Sequence, residues 1–129
     1  MPTYLPAFMS HAHLDNDRCD PYHLALSQRG VACYYDRDQP QAGASLSLAL
    51  QNELERARAL VVMVTPAMLG SFWVEQEIDM FFALMARDRT RKLIPVRIAA
   101  CELPTRLAAR WWLDATTEPF AAIIEKLTR

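Results

Sequence analysis

The chain has 129 residues and a mass of 14.7 kDa, and 52% of its residues are hydrophobic and 22% charged. This size and composition predict one globular domain over residues 1–129 and exclude a second domain. The 14 basic and 15 acidic residues are mixed along the chain and give a net charge of −1, so no basic footprint for nucleic acid or for an anionic membrane is visible.

The cysteines and the hydropathy of the chain bear on its compartment. Cys19, Cys33 and Cys101 lack the close spacing of a zinc site or a disulfide framework, and no signal peptide or transmembrane run is present. We therefore expect reduced thiols, a cytoplasmic location and no bound metal. The start at Met1 and the abrupt end at Arg129 are compatible with a module of a longer protein.

The first half of the chain predicts two strands and two helices. Short runs of apolar and β-forming residues predict the strands, and leucines at helical spacing predict the second helix. Asp20 and Pro21 mark the start of the first helix, because Asp caps helices and Pro is favoured in the first turn, and Gly30 marks its end. In chain order the predicted elements are strand Leu5–Ser10, helix Asp20–Gly30, strand Val31–Tyr35, polar loop Asp36–Gly43 and helix Ser45–Arg58.

The second half continues the alternation of strands and helices. The run 59–65 is apolar without a break, as in strands that are covered on both faces of a parallel sheet. Pro95, inside the fourth strand, favours a position near the sheet edge or a bulge. The predicted elements are strand Ala59–Thr65, connection Pro66–Gly70, helix Ser71–Arg87, strand Lys92–Ala99, a short strand at Trp111–Leu113 and helix Glu118–Leu127.

This order of elements predicts an α/β fold. We expect a doubly wound, flavodoxin-like parallel sheet of about five strands in the order 2-1-3-4-5, with helices on both faces. Ligands bind such sheets beyond the carboxyl ends of the strands, at the point where the strand order reverses. Here that point lies between strands one and three, near the loops Ser10–Asp15 and Thr65–Ser71. The three glycines are too scattered for a glycine-rich dinucleotide loop.

One residue of the helix Ser71–Arg87 departs from the helical pattern. At about 100° per residue, Glu77 falls on the apolar side together with Trp73, whereas the other acidic side chains fall on the opposite side. Burying an unpaired carboxylate is costly. Glu77 therefore lies either at the rim of the apolar side, with its head in water, or in a polar cleft that uses its raised proton affinity.

Four short motifs occur along the chain in a recognisable order. They are Phe8-Met9-Ser10-His11, Tyr35-Asp36 followed by Gly43, Ser71-Phe72-Trp73 with Glu77, and Ile94-Pro95-Val96. Together they resemble a Toll/interleukin-1 receptor (TIR) domain of the bacterial type, over nearly the whole chain.

The resemblance implies a catalytic residue and its substrate contacts. In that family Trp-x-x-x-Glu carries the glutamate of the NAD-cleaving members, which implies that Glu77 is catalytic and that NAD is a substrate, with no further cofactor. The implied substrate contacts are Ser10, His11, Ser71 and Trp73. His11 stands where the family usually has Tyr, and its ring can stack and donate a hydrogen bond.

The resemblance also implies self-association. The loop after the second strand, the BB loop of the family, is used for assembly, which implies a role for Asp36, Arg37 and Gly43. We expect the ledge formed by Trp73 and Glu77 to be open on one side in a monomer, and a neighbouring copy to close it with its own loop.

Two functions follow from the resemblance. One is an NAD glycohydrolase that releases nicotinamide and ADP-ribose or a cyclic variant, is activated by assembly into homo-oligomers or filaments, and acts in bacterial immune defence or signalling. The alternative is a TIR scaffold that only assembles with other TIR domains. A phospho-receiver domain shares the strand order but needs an acceptor Asp at the end of strand three, where this chain has Val64-Thr65.

Overall fold

A five-stranded parallel sheet forms the centre of the domain. The structure is a computed structural model and describes residues 6–36 and 47–128. The strands are β1 (Ala7–Ser10), β2 (Cys33–Tyr35), β3 (Ala59–Val64), β4 (Lys92–Arg97) and β5 (Leu113–Asp114), in the order β2-β1-β3-β4-β5. Every neighbouring pair is parallel. The predicted fold class and strand order are therefore confirmed.

Helices cover both faces of this sheet. Within the described residues they are α1 (Asn16–Gln28), α2 (Leu48–Arg56), α3 (Pro66–Leu69), α4 (Phe72–Arg87), α5 (Thr105–Ala108) and α6 (Phe120–Leu127), and a 3-10 turn covers His13–Asp15. Side chains alternate between the faces along each strand, so Phe8 packs in the core beside α2 and α4, whereas Met9 packs in the core beside α1. None of the described helices is long and apolar enough to span a membrane.

The first helix begins earlier than predicted. α1 starts at Asn16, and Pro21 lies inside it rather than in its first turn. The extra turn is held by tertiary contacts: Cys19 is fully buried, and the Tyr35 hydroxyl donates to Asp20 Oδ1 at 2.6 Å. These contacts outweigh the hydrogen bond that Pro21 cannot make. The predicted end is confirmed, because Gly30 has a positive φ of 81° and closes the helix.

Two short helices occur where the sequence analysis predicted no helix. The segment predicted as connection Pro66–Gly70 contains α3, whose N-cap Thr65 accepts a hydrogen bond from Met68 N at 3.0 Å. The four-residue α5 was not predicted. Helices of one turn are too short for an apolar periodicity to develop.

The edge of the sheet explains Pro95. β5 pairs with β4 only at Val96 and Arg97, so no β5 residue lies opposite Pro95. This agrees with the predicted position near the sheet edge. β5 itself begins at Leu113, later than predicted.

Candidate active site

Helix α4 carries Glu77 into the interior. Ser71 caps the helix by accepting a hydrogen bond from Val74 N at 3.2 Å, as predicted. Glu77 lies on the buried side of α4 together with Trp73, and only 2% of it is exposed. The interpretation of Glu77 as a rim residue with its head in water is therefore wrong.

The carboxylate of Glu77 has one hydrogen-bond partner among the described residues. Ser10, the last residue of β1, donates from its hydroxyl to Glu77 Oε1 at 2.7 Å and is itself fully buried. No Lys, Arg or His of residues 6–36 and 47–128 forms an ion pair with Glu77. The structure thus brings Ser10 and Glu77 together, and their predicted roles as substrate contact and catalytic residue stay predictions.

Burial changes the proton affinity of Glu77. Desolvation raises its pKa to about 8, the negative charge of Asp36 adds to the rise, and the hydrogen bond from Ser10 opposes it. Near neutral pH the protonated form of the side chain is therefore favoured. A positive charge placed beside it would favour the ionised form.

Trp73 lies one turn before Glu77 and offers a hydrogen-bond donor. Its side chain is 7% exposed, and its indole Nε1 has no hydrogen-bond partner in the described part of the chain. Buried donors are usually paired, so this N–H is available to a ligand. Since both Trp73 and Glu77 are buried, the expectation of a ledge open to solvent in one chain is wrong.

Tyr34 lies near Glu77 and was not predicted as a site residue. Tyr34 stacks on Phe8, with ring centroids 5.0 Å apart, on the same side of the sheet as the Glu77 helix. Burial raises the Tyr34 pKa, and the charges of Asp36, Glu53 and Glu77 raise it further. From the sequence, the alternation of Tyr34 and Tyr35 along a strand indicates only that one of them packs in the core.

His11 lies away from Glu77. It is 1% exposed, its Nε2 is 2.6 Å from Asn16 Oδ1 in α1, and its ring is 4.6 Å from that of Tyr35. Burial lowers the His11 pKa, so the imidazole is neutral. Tyr35 packs in the core beside α1, the opposite side from α4. Ser10 and His11 therefore point to different sides of the sheet, and the structure brings only Ser10 to Glu77.

A buried contact joins the two loops that were predicted to meet at the switch point. The Thr65 hydroxyl at the end of β3 donates to Asp15 Oδ2 after β1, and both side chains are buried. Thr65 occupies the position where a phospho-receiver domain needs its acceptor Asp. Across residues 6–36 and 47–128, no group of three or more His, Cys, Asp or Glu side chains is arranged to hold a metal ion.

The predicted assembly loop is described only at its first residue. Asp36 is half-buried, and its charge acts on Glu77. Arg37 and Gly43 lie outside the described residues. Their predicted role in self-association stays a prediction.

Comparison with known proteins identifies the family. The structure is similar to the TIR domain of the Toll-related receptor TRR-2 from Hydra magnipapillata, with a TM-score of 0.75 and 14% identity over 97% of this chain and 94% of that chain. It is also similar to the TIR domains in the structure of the activated Roq1 resistosome directly recognizing the pathogen effector XopQ, with a TM-score of 0.78 and 15% identity over 97% of each chain. Identities this low show a shared fold alone. A comparison with curated protein sequences gives no match. The family model described as TIR domain matches residues 7–128, and this chain therefore belongs to the TIR domain family.

Proposed function

We propose that this TIR domain cleaves the nicotinamide–ribose bond of NAD, with Glu77 as its catalytic carboxylate. The observation that carries the proposal is the burial of Glu77, with Ser10 as its hydrogen-bond partner and no cationic partner among the described residues. Such a carboxylate destabilises the folded state, and perturbed acids of this kind cluster at functional sites.

The chemistry of oxidised NAD matches this arrangement. The nicotinamide ring of oxidised NAD is already cationic and leaves the ribose as a neutral molecule, so bond cleavage mainly requires stabilisation of the positive charge that develops on the ribose. A fixed carboxylate supplies this with little reorganisation, as in glycoside hydrolysis. Ser10 holds Oε1 of Glu77, and Oε2 would accept from the ribose hydroxyls. Attack by water gives ADP-ribose, and attack by an internal nucleophile gives a cyclic variant.

Binding of the substrate also prepares the catalytic group. The cationic nicotinamide beside Glu77 would lower its raised pKa and convert it to the carboxylate. The unpaired Nε1 of Trp73 would donate to the substrate. The Ser71 hydroxyl already accepts the capping hydrogen bond, and His11 packs against α1, so we assign them no direct step in the reaction.

The first experiment separates an enzyme from a scaffold. Purified domain at high concentration should release nicotinamide from NAD, and Glu77→Gln should reduce the release by about 100- to 1000-fold, because it keeps the shape of the side chain and removes the charge. Glu75→Gln is the matched control, since Glu75 is exposed on the outer side of α4 and pairs with Arg106. Equal release by wild type and Glu77→Gln, at matched folding, would show that the assignment is wrong and would favour the scaffold.

We further propose that self-association activates the reaction in the cytoplasm, as part of immune defence or signalling. Glu77 is nearly inaccessible in one chain, so the substrate needs a rearrangement of the groups around it, and assembly through the loop Asp36–Gly43 would supply this. Support comes from the family and from the related TIR domains of a resistosome, an assembly named as activated.

A concentration series tests this activation. Nicotinamide release per molecule should rise with protein concentration, and Gly43→Val or Arg37→Glu should lower it about tenfold while leaving the melting temperature nearly unchanged. Arg18→Glu is a matched charge reversal on the exposed side of α1. Constant specific activity from a strictly monomeric sample would contradict the proposal.

A further inference from the structure

A cavity of 740 Å³ lies at the end of the sheet opposite Glu77. Ala7 and Ala59, the first residues of β1 and β3, line it. Glu77 instead contacts Ser10, the last residue of β1. The two ends of the four-residue β1 are about 10 Å apart, and none of Ser10, Trp73 and Glu77 lines the cavity. The cavity is therefore separate from the candidate active site.

The short last elements of the chain leave this space open. β5 pairs with β4 only at Val96 and Arg97, so the first half of β4 has no strand on that side. The closing helix α6 has only eight residues, and Leu127 at its end lines the cavity. The cavity thus follows from the architecture of the chain rather than from a single small side chain.

The lining has two chemically different parts. The floor is aliphatic and includes Leu26, Val61 and Ile94. The remaining wall is basic and contains five cationic side chains, from Arg91, Lys92, Arg106, Arg110 and Lys126. No acidic residue is among the described residues of the lining.

Three of these cations are already compensated by acids outside the cavity lining. The pairs are Arg91 with Asp88, Arg106 with Glu75 and Asp79, and Lys126 with Glu118.

Lys92 and Arg110 differ from these three. Neither has an acidic partner in the part of the chain that the structure describes. The guanidinium carbon of Arg110 lies over the ring of Phe82, 4.9 Å from its centroid, a contact that does not use the N–H donors of the guanidinium.

We propose that this cavity binds an amphipathic organic phosphate, with an aliphatic body on the floor and the phosphate at Lys92 and Arg110. A phosphate monoester carries close to two negative charges near neutral pH and matches the two uncompensated cations. The first five residues are a poorer match for this wall, because Met1–Leu5 contain no acidic side chain.

Calorimetric titration of the full chain tests the two parts of the site separately. The probe is n-octyl phosphate below its micelle concentration, with inorganic phosphate as the head alone and n-octyl glucoside as a neutral tail. Octyl phosphate should bind about tenfold or more tightly than either comparison compound, because only it satisfies both the floor and the wall.

Two variants test the assigned residues. The double variant Lys92→Gln/Arg110→Gln should weaken binding of octyl phosphate about tenfold or more, because two charge-assisted contacts are lost. Ala109→Phe should weaken it similarly by filling the cavity while keeping every charge, since Ala109 is exposed and lines the space. Arg18→Gln, on the exposed side of α1 and outside the lining, should bind as wild type does.

Several results would overturn the proposal. These are no binding of octyl phosphate at millimolar concentration, equal binding of octyl glucoside, or wild-type affinity in the folded double variant. If octyl phosphate binds only after residues 2–5 are deleted, the occupant of the cavity would be this segment of the chain rather than an organic phosphate. Thermal unfolding of each variant keeps a folding defect distinct from a loss of the site.

Discussion

The two ends of the central sheet differ in the sign and in the burial of their charges. At the carboxyl end, Glu77 and Asp15 are buried, with hydroxyl groups rather than cations as their hydrogen-bond partners. At the amino end, cationic side chains surround an aliphatic cavity. A net charge of −1 therefore conceals two regions of opposite character. Burial of an acid changes its proton affinity, whereas a group of cationic side chains around a cavity attracts anions.

The largest expected effect tests whether the two ends of the sheet act independently. Glu77→Gln should lower nicotinamide release by about 100- to 1000-fold, because a stabilising charge is removed from the transition state. The same variant should bind octyl phosphate with unchanged affinity, since β1 and β3 separate the two regions. Parallel assays on one protein preparation measure both quantities. A joint loss of release and binding would show that the ends are coupled or that the variant is misfolded.

The next effect concerns pH at the carboxyl end. Because burial raises the pKa of Glu77 to about 8 and the reaction needs the carboxylate, kcat/KM for nicotinamide release should rise about tenfold per pH unit below pH 8 and then level off. Ser10→Ala removes the hydrogen bond that lowers this pKa and should move the midpoint upward. Initial rates at low NAD, from about pH 6 to 9, give the profile. A flat profile below pH 8 would show that ionisation of Glu77 does not limit the reaction.

A smaller effect tests the stability of the buried contact between the switch-point loops. Thr65→Val removes the hydroxyl that donates to Asp15 and caps α3. It should lower the free energy of unfolding by about 1–3 kcal/mol, because a buried acceptor loses its donor. Urea denaturation measures the change, with Thr105→Val as an exposed control. Equal decreases in the free energy of unfolding of the two variants would show that the Thr65–Asp15 hydrogen bond does not stabilise the fold.

The last effect is a change in how stability depends on pH. Glu77 has a folded-state pKa of about 8, above its usual value, so folding favours its protonated form. The stability from this group is present at low pH, declines as the pH rises through the interval between the two pKa values, and is lost above about 8. Glu77→Gln does not titrate. Its free energy of unfolding should therefore gain on that of wild type by roughly 3–4 kcal/mol between about pH 5 and 8, because each unit of pKa difference corresponds to about 1.4 kcal/mol.

Calorimetry or a fluorescence melt at several pH values measures this difference. Glu75→Gln, on the exposed side of the same helix, should show no such trend. A pH-independent difference between Glu77→Gln and wild type would indicate that Glu77 has an ordinary pKa in the folded protein.

Most of the fold could be predicted because it depends on local periodicity. The 16-residue α4 is long enough for its apolar side to be defined, so the side on which Glu77 lies was correctly predicted. The depth at which Glu77 is buried was not predicted. That depth depends on Ser10 and on the surrounding strands and loops, which are distant from Glu77 in the sequence. α3 was missed although Thr65 followed by Pro66 is a readable helix start.

The charge distribution could be predicted least. Lys92 begins β4, Arg110 follows α5 and Lys126 lies in α6, so they are far apart in the chain and only the three-dimensional arrangement brings them to one cavity. Mixed charges along the sequence gave no sign of this. The orientation of His11 was equally hidden, since it follows the strand and its position is set by Asn16 and Tyr35.

The lengths of the outer strands affect how copies of this domain can join. β2 has three residues and β5 has two, and they form the two edges of the sheet. Such short edges present few backbone groups to an incoming strand, so the sheet is a poor template for amyloid-like extension. Contacts between copies of this domain are therefore expected on its helices and loops rather than on the edges of its sheet.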